Sequence, residues 1–86
     1  MSVLIKTEHP HVRVDGKGRP VVGEAALEVH ILVEYWQLGW GVNELAEGYP
    51  FLSKGEILDA LSYYHDHEAE IDALIEANSP PDSEGA

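Results

Sequence analysis

The middle of the chain contains three signals that divide it into helices and turns. Gly39 belongs to the residue type that most readily adopts the left-handed conformation ending a helix, and Pro50 disfavours helical geometry at Tyr49. Ser53, with Glu56 three residues later, forms a capping-box pattern that stabilises the following helix by about 1 kcal/mol. This order of signals predicts a helical hairpin of the helix-turn-helix type.

Apolar residues at helical spacing predict three helices around these signals. The first begins near residue 28, and its core stripe is predicted to be Leu27, Ile31, Tyr35 and Leu38, with Leu32 and Trp36 beside it. The second is short, with apolar positions Val42, Leu45, Ala46 and Tyr49. The third begins at Lys54 and is expected to continue past the core as one long helix through Ile57, Leu61, Tyr64, Ile71 and Ile75, interrupted by Glu68.

The amino-terminal residues have the composition of a β-ribbon. Residues 11–14 favour a strand, residues 15–18 have turn composition, and residues 19–22 favour a second strand. Pro20 lacks an amide donor, so it is expected on an edge or at the start of a strand. An isolated ribbon is only marginally stable in water, so this one is expected to pack on the helices or pair with a second copy.

These elements predict one small, mainly α domain in residues 1–77. A β-hairpin in residues 1–27 precedes a homeodomain-like three-helix core in residues 28–77 with a long last helix. Residues 78–86 have the composition of a disordered acidic tail. A chain of 86 residues buries only about 60 to 65% of the surface of its unfolded form, so stability is expected to be marginal.

Charge and residue usage narrow the functional classes. The formal net charge is −11: residues 1–19 carry +2, and the rest carries −13 with Lys54 as its single cation. Such a body repels phosphate backbones over about 8 Å at physiological salt. The chain has no cysteine, which excludes disulfides, thiolate metal sites and a cysteine nucleophile. No apolar run approaches the ~20 residues that cross a bilayer, and no secretory signal is visible, so we expect a cytoplasmic location.

The polar residues predict neither catalysis nor a cofactor. The capping role of Ser53 explains that residue better than a nucleophilic role does. Carboxylates are scattered along helix faces without the desolvated pocket that a general acid needs. His9 and His11 alternate on an extended segment, and His65 shares a helix face with Glu68, so a divalent metal site is the competing interpretation. Two ligands rarely make a site, so solvent-facing or structural histidines are favoured.

A series of motifs runs from His9 to Tyr63. It consists of His9-Pro10, Gly18-Arg19-Pro20-Val21-Val22, residues 29–38, Gly39-Trp40, Glu44-Leu45, Tyr49-Pro50, Leu52, Ile57, Ala60-Leu61 and Tyr63. Together these motifs resemble a widespread prokaryotic family, domain of unknown function 433, whose characterised relatives act as antitoxins. The resemblance implies a homeodomain-like core behind a short β-ribbon, a dimer, and pairing with a ribonuclease-like toxin of PIN type.

The chain departs from the family pattern at one segment. Where the family usually has Arg-Gly-Thr-Arg-Ile-Pro-Val, residues 23–29 read Gly-Glu-Ala-Ala-Leu-Glu-Val, so Gly23 and Ala26 replace two basic residues. If those basic residues contact DNA or a partner in relatives, this chain lacks that contact.

The leading hypothesis is a non-catalytic, dimeric, antitoxin-like regulator that binds a PIN-type toxin, with operator DNA as a ligand that the net charge disfavours. The candidate DNA-binding residues are Arg13, Lys17, Arg19 and Lys54. The candidate partner surface consists of Trp40, Phe51, Ile71, Leu74 and Ile75, where aromatic residues flank turns beside an apolar seam. The alternative is an orphan protein–protein interaction domain that has neither toxin nor operator.

Overall fold

The computed structural model of the chain describes residues 5–78. Within this range the chain forms four short strands, β1 Ile5–Lys6, β2 Val12–Val14, β3 Pro20–Val22 and β4 Leu27–Glu28. Four helices follow: α1 Val29–Gln37, α2 Val42–Gly48, α3 Lys54–Asp66 and α4 Glu68–Asn78. The architecture is therefore mixed α/β rather than mainly α. Of the predicted tail, Asn78 ends α4 and the other residues lie outside the described range.

The predicted hairpin is confirmed and is the centre of a larger sheet. Strands β2 and β3 pair antiparallel, with Arg13 opposite Val21, and β1 and β4 extend the sheet in the order β1-β2-β3-β4. The Asp15 carboxylate holds the turn by accepting hydrogen bonds from the amides of Lys17 at 2.9 Å and Arg19 at 3.0 Å. The sheet packs on α1 and α3, as expected for a ribbon that is not stable alone.

The turn between β3 and β4 depends on glycine at residue 23. Gly23 has a φ of 78°, and a Cβ atom there would lie 2.5 Å from Leu52 Cδ2. Ala26 also has a positive φ, 53°, and its amide donates to the carbonyl of Gly23 at 3.0 Å. The segment that departs from the family pattern thus has a backbone that disfavours a bulky residue at position 23.

The stripe of helix α1 that packs in the core is not the one predicted from the sequence. Val29, Leu32 and Val33 are fully buried, whereas the exposed fraction is 37% for Tyr35 and 75% for Leu38. Six of the eight positions from residue 29 to residue 36 are apolar, so periodicity alone does not select one face. Packing of α1 against α3 and α4 selects it.

The stop, corner and cap signals are confirmed. Gly39 has a φ of 107°, which ends α1, and the chain turns at Tyr49 before α3. At the start of α3, the Glu56 amide donates to Ser53 Oγ at 3.1 Å, and the Ser53 amide donates to Glu56 Oε1 at 2.8 Å. This reciprocal pair satisfies two amides that a helix start otherwise leaves without partners.

The prediction of one long last helix is wrong. The chain leaves helical geometry at His67, with φ −136° and ψ 43°, and α4 returns to pack against α1. Because α4 packs back on α1, Ile71 is fully buried in the same core as Leu32 and Ile57, which stabilises this arrangement. Among the described helices, none has the length and hydropathy that spanning a membrane requires.

Candidate functional site

Four aromatic side chains form a connected, partly exposed surface at one end of the helices. This aromatic face consists of Tyr35, Trp40, Tyr49 and Phe51. Ring centroids are 4.8 Å apart for Tyr35 and Trp40, 6.3 Å for Tyr35 and Tyr49, and 6.0 Å for Tyr49 and Phe51. The exposed fraction is 37% for Trp40 and 54% for Phe51.

Two turns place these rings side by side. Gly39 redirects the chain after α1, and the Trp40 amide donates back to the Tyr35 carbonyl at 3.1 Å. The Trp40 ring lies against Gly48, where a Cβ atom would come within 3.1 Å of it. The corner at Tyr49 then directs Phe51 outward. Residues that flank turns are hard to cover with the protein's own side chains, and here they leave apolar area in contact with water.

Such a face is suited to binding a protein. Aromatic rings supply a large contact area with few rotatable bonds, and they dominate the energetics of many interfaces. Helix α2, which lies between two of the rings in sequence, has exposed carboxylates at Glu44 and Glu47. The surroundings of the face are therefore acidic.

The two groups of predicted partner residues occupy different places. Trp40 and Phe51 are exposed as expected, but Ile71 is fully buried, and Leu74 and Ile75 are partly buried against the core. The interpretation of the α4 residues as an exposed seam is wrong because α4 folds back. Sequence reasoning missed two members of the face, Tyr35 and Tyr49, by assigning them to core stripes; their closeness to the two turns was the available signal.

The predicted DNA-binding cations do not all face solvent freely. Arg13 Nη2 donates to the Gly23 carbonyl at 3.4 Å, and Arg19 Nη1 lies 3.1 Å from Glu28 Oε1. Lys17 is exposed in the hairpin turn, and Lys54 is exposed at the first position of α3. Within the described residues, the ribbon therefore offers less unengaged positive charge than its sequence suggests.

Apart from the aromatic face, a cluster of polar side chains joins the β1–β2 connection to the end of α3. His9 is buried, with its Nδ1 3.0 Å from Asp59 Oδ1 and its Nε2 2.8 Å from Asp66 Oδ2. Asp59 also accepts the amide of His11 at 2.7 Å. Burial acts to lower the pKa of His9, but the hydrogen bonds with Asp59 and Asp66 outweigh it and raise the pKa above its ordinary value.

His67 extends this grouping. Its Nε2 lies 2.8 Å from Glu8 Oε2, and its Nδ1 lies 3.4 Å from Glu70 Oε1. The hydrogen bond with His67 lowers the pKa of Glu8. Tyr63 separates the two imidazoles: the His67 ring stacks on it at 4.1 Å, and the His9 ring meets it edge-on at 5.4 Å. We call His9, Asp59, Asp66, Glu8 and His67 the His9 cluster. The sequence did not predict it, because its members come from opposite ends of the chain.

Comparison with protein-family models finds a match over residues 16–64 to a family described as a protein of unknown function, DUF433. Searches of the curated proteins and of the solved structures return no match. The matched range runs from the hairpin turn almost to the end of α3 and contains the whole aromatic face. It ends before α4 and begins after His9, so the His9 cluster lies largely outside it.

Proposed function

The chain belongs to the DUF433 family, and on that premise we propose that it is a non-catalytic, antitoxin-like regulator that binds a protein partner through the aromatic face. The partner in this proposal is a ribonuclease-like toxin of PIN type. The observation that carries the proposal is the connected array of Tyr35, Trp40, Tyr49 and Phe51, which leaves large rings in water at a site formed by residues of the family-matched range.

The negative charge of the chain supports the proposal that its partner is a basic protein. The chain carries −11 in total, and the segment from α1 to α2 contains three glutamates and neither lysine nor arginine. Opposite charges on two proteins increase the rate of their encounter, while apolar contacts at the centre of the interface provide most of the affinity. A toxin that binds RNA needs basic surface for its substrate, and the acidic surroundings of the aromatic face are complementary to such a surface.

DNA is the less favoured ligand of the free protein. Its affinity for any duplex depends on phosphate contacts, and Arg19 already forms an ion pair with Glu28. Lys17 and Lys54 remain the better candidates among the four predicted cations. Operator binding by a complex, in which the partner contributes positive charge, is compatible with this arrangement.

A homodimer is part of the same proposal. Among residues 5–78, β1 is an edge strand of the sheet, and its residue Ile5 is 59% exposed. An unpaired edge with an exposed apolar residue favours pairing with a second copy. The mass of the free protein in solution, measured by light scattering, tests this point directly.

The decisive experiment is co-expression with the product of an adjacent PIN-type gene. We expect a complex of defined mass and loss of the ribonuclease activity of the toxin. The double variant Trp40→Ala/Phe51→Ala should weaken binding at least 30-fold, on the order of 2 kcal/mol or more for an interface centre. Leu58→Ala is the matched control, because Leu58 is 54% exposed on α3 but does not belong to the aromatic face.

The orphan interaction domain is the alternative, and the same experiment separates the two. If no adjacent toxin gene exists, or its product neither copurifies nor is inhibited, the antitoxin role is wrong. If the complex forms but the double variant binds as tightly as the Leu58→Ala control, the aromatic face is not the binding site.

A further inference from the structure

We propose that Glu8, His9 and Asp66 form a binding site for a divalent transition-metal ion of the zinc class. We call these three residues the metal triad. One potential ligand atom from each residue lies within 4.8 Å of the others. The site lies outside the aromatic face, so it is independent of the proposed antitoxin function.

The spacing of the three atoms fits a shared ion. His9 Nε2 is 2.8 Å from Asp66 Oδ2 and 4.0 Å from Glu8 Oε2. Metal–ligand distances of about 2.0 to 2.2 Å place neighbouring ligand atoms roughly 3 to 3.5 Å apart. These two separations lie on either side of this range, and the third, between the ligand oxygens of Glu8 and Asp66, is at most 4.8 Å. Rotations of the two exposed carboxylate side chains would bring all three atoms onto one ion.

The imidazole of His9 is oriented as a metal ligand. Each of its two ring nitrogens faces a carboxylate oxygen, Asp59 at one end and Asp66 at the other. A neutral imidazole has a single N–H group, so without an ion a second proton makes the other contact, and a metal ion at Nε2 would displace that proton. With Nδ1–H donating to Asp59, the Nε2 lone pair points toward Glu8 and Asp66. A carboxylate that holds the far nitrogen of a liganding histidine is a recurring feature of zinc sites.

Of the two carboxylates of the triad, Glu8 has a further partner. Its Oε2, the oxygen that faces His9 at 4.0 Å, also lies 2.8 Å from His67 Nε2, so this hydrogen bond restrains the glutamate near His9. The His9 side chain is only 10% exposed, whereas the side chains of Glu8 and Asp66 are each 57% exposed. An ion can therefore enter from solvent and keep water in its remaining coordination positions.

The donor set selects the class of ion. One imidazole and two carboxylates suit zinc and related first-row metals, whereas magnesium and calcium prefer ligand sets made of oxygen alone. A bound ion would connect the β1–β2 connection with the end of α3, two segments more than fifty residues apart in sequence. It would thereby fix the point at which the chain leaves α3 and turns into α4.

The test is zinc titration of the full chain, prepared without a polyhistidine tag and treated with chelator beforehand. We expect one ion per chain by calorimetry. At a hundredfold excess of free zinc over its Kd, the melting temperature should rise on the order of 10 °C. In NMR spectra of the histidine side chains, zinc should shift the Nε2 resonance of His9. Magnesium at the same concentration should produce a much smaller rise in melting temperature.

Three variants make the result specific to the triad. Glu8→Gln and Asp66→Asn each remove a charged ligand at a largely exposed side chain, so both are expected to fold and to lose at least tenfold in zinc affinity. His65→Gln is the matched control, since His65 is an exposed histidine next to Asp66 in sequence whose Nδ1 lies 3.2 Å from a carboxylate outside the triad, Glu68 Oε2. It should bind zinc as the unaltered chain does. The proposal is overturned if the unaltered chain binds no zinc, or if Glu8→Gln and Asp66→Asn bind it unchanged.

Discussion

The aromatic face and the apolar stripe of α4 are both groups of apolar side chains, but the protein covers them to different degrees. In the stripe, which comprises Ile71, Leu74 and Ile75, Ile71 is fully buried and the other two are partly covered by the core. In the aromatic face, Phe51 keeps 54% of its surface in water. Both groups lie next to a change of chain direction, at His67 for the stripe and at Gly39 and the Tyr49 corner for the face.

The difference in burial follows from where each group lies relative to the change of chain direction. The break at His67 lets a whole helix fold back, so the stripe reaches the core formed by α1 and α3. The aromatic face lies at and beside the turns, and the described segments cover it only in part: Tyr49 packs partly against the core, whereas Trp40 and Phe51 stay exposed. Burial by the chain's own helices therefore accounts for the stripe, whereas coverage of the exposed rings is left to a partner in the function we propose.

The largest predicted effect on stability tests whether the α4 stripe is part of the core. Ile71→Ala should lower the free energy of unfolding by about 2 to 5 kcal/mol, because it removes buried methyl groups and leaves a cavity. Urea denaturation followed by circular dichroism measures it. Leu58→Ala is the control, since Leu58 is 54% exposed and an alanine there should cost well under 1 kcal/mol. Equal effects of the two variants would mean that α4 does not belong to the core.

The second prediction concerns the hydrogen bonds that hold α4 in place. Tyr64 Oη donates to Asp72 Oδ1 at 2.9 Å and accepts from Gln37 Nε2 at 3.2 Å, so it links α3, α4 and α1. Tyr64→Phe should lower the free energy of unfolding at neutral pH by about 1 to 1.5 kcal/mol. The same substitution at Tyr35, on the aromatic face, is the control and should have little effect.

The contribution of Tyr64 should also depend on pH. Its hydrogen bond to Asp72, together with burial, raises the pKa of Tyr64 in the folded protein. A group whose pKa is raised on folding contributes stability that is fully present below its unfolded pKa, near 10 for tyrosine, and is lost as pH rises through the folded value. The difference between the unaltered chain and Tyr64→Phe should therefore shrink above about pH 10. A difference that stays constant into that range would contradict the assignment.

The third prediction tests the turn that carries Phe51. Ser53→Ala removes the acceptor of the Glu56 amide and should lower the free energy of unfolding by about 1 kcal/mol. Ser62→Ala is the control on the same helix, at an exposed position away from the cap, where alanine should be neutral or slightly stabilising. If the cap fixes the corner, Ser53→Ala should also weaken partner binding, whereas Ile71→Ala should weaken it only as far as it unfolds the chain.

The features predicted from sequence are those with short-range signals. The Asp15 turn involves residues two and four positions apart, and the Ser53–Glu56 cap involves residues three apart, so a single window of sequence contains the whole interaction. The exposure of Trp40 and Phe51 followed from their places beside such turns. For this reason the strand–turn–strand segment, the helix starts and the exposure of two of the four rings of the aromatic face could be predicted from the sequence.

The remaining features depend on packing that no local window contains. The break at His67 has no glycine or proline to signal it, so the seam through Tyr64 and Ile71 was extended as one helix. Helix α1 is apolar on most sides, and only its neighbours determine which stripe is buried. The contact between His9 and Asp59 spans fifty residues, and nothing in either segment alone predicts that it forms.

The smallest predicted effect on stability tests the aromatic face most directly. Phe51→Ala should change the free energy of unfolding by no more than about 0.5 kcal/mol, because the ring has more than half of its surface in water and little packing is lost. Leu58→Ala gives a comparison at the same exposed fraction, 54%, and should be equally mild. The two variants should therefore differ in partner binding but not in unfolding. A loss of several kcal/mol for Phe51→Ala would place the ring in the core and would remove the contrast with Ile71, because the chain itself would then use both apolar groups for folding.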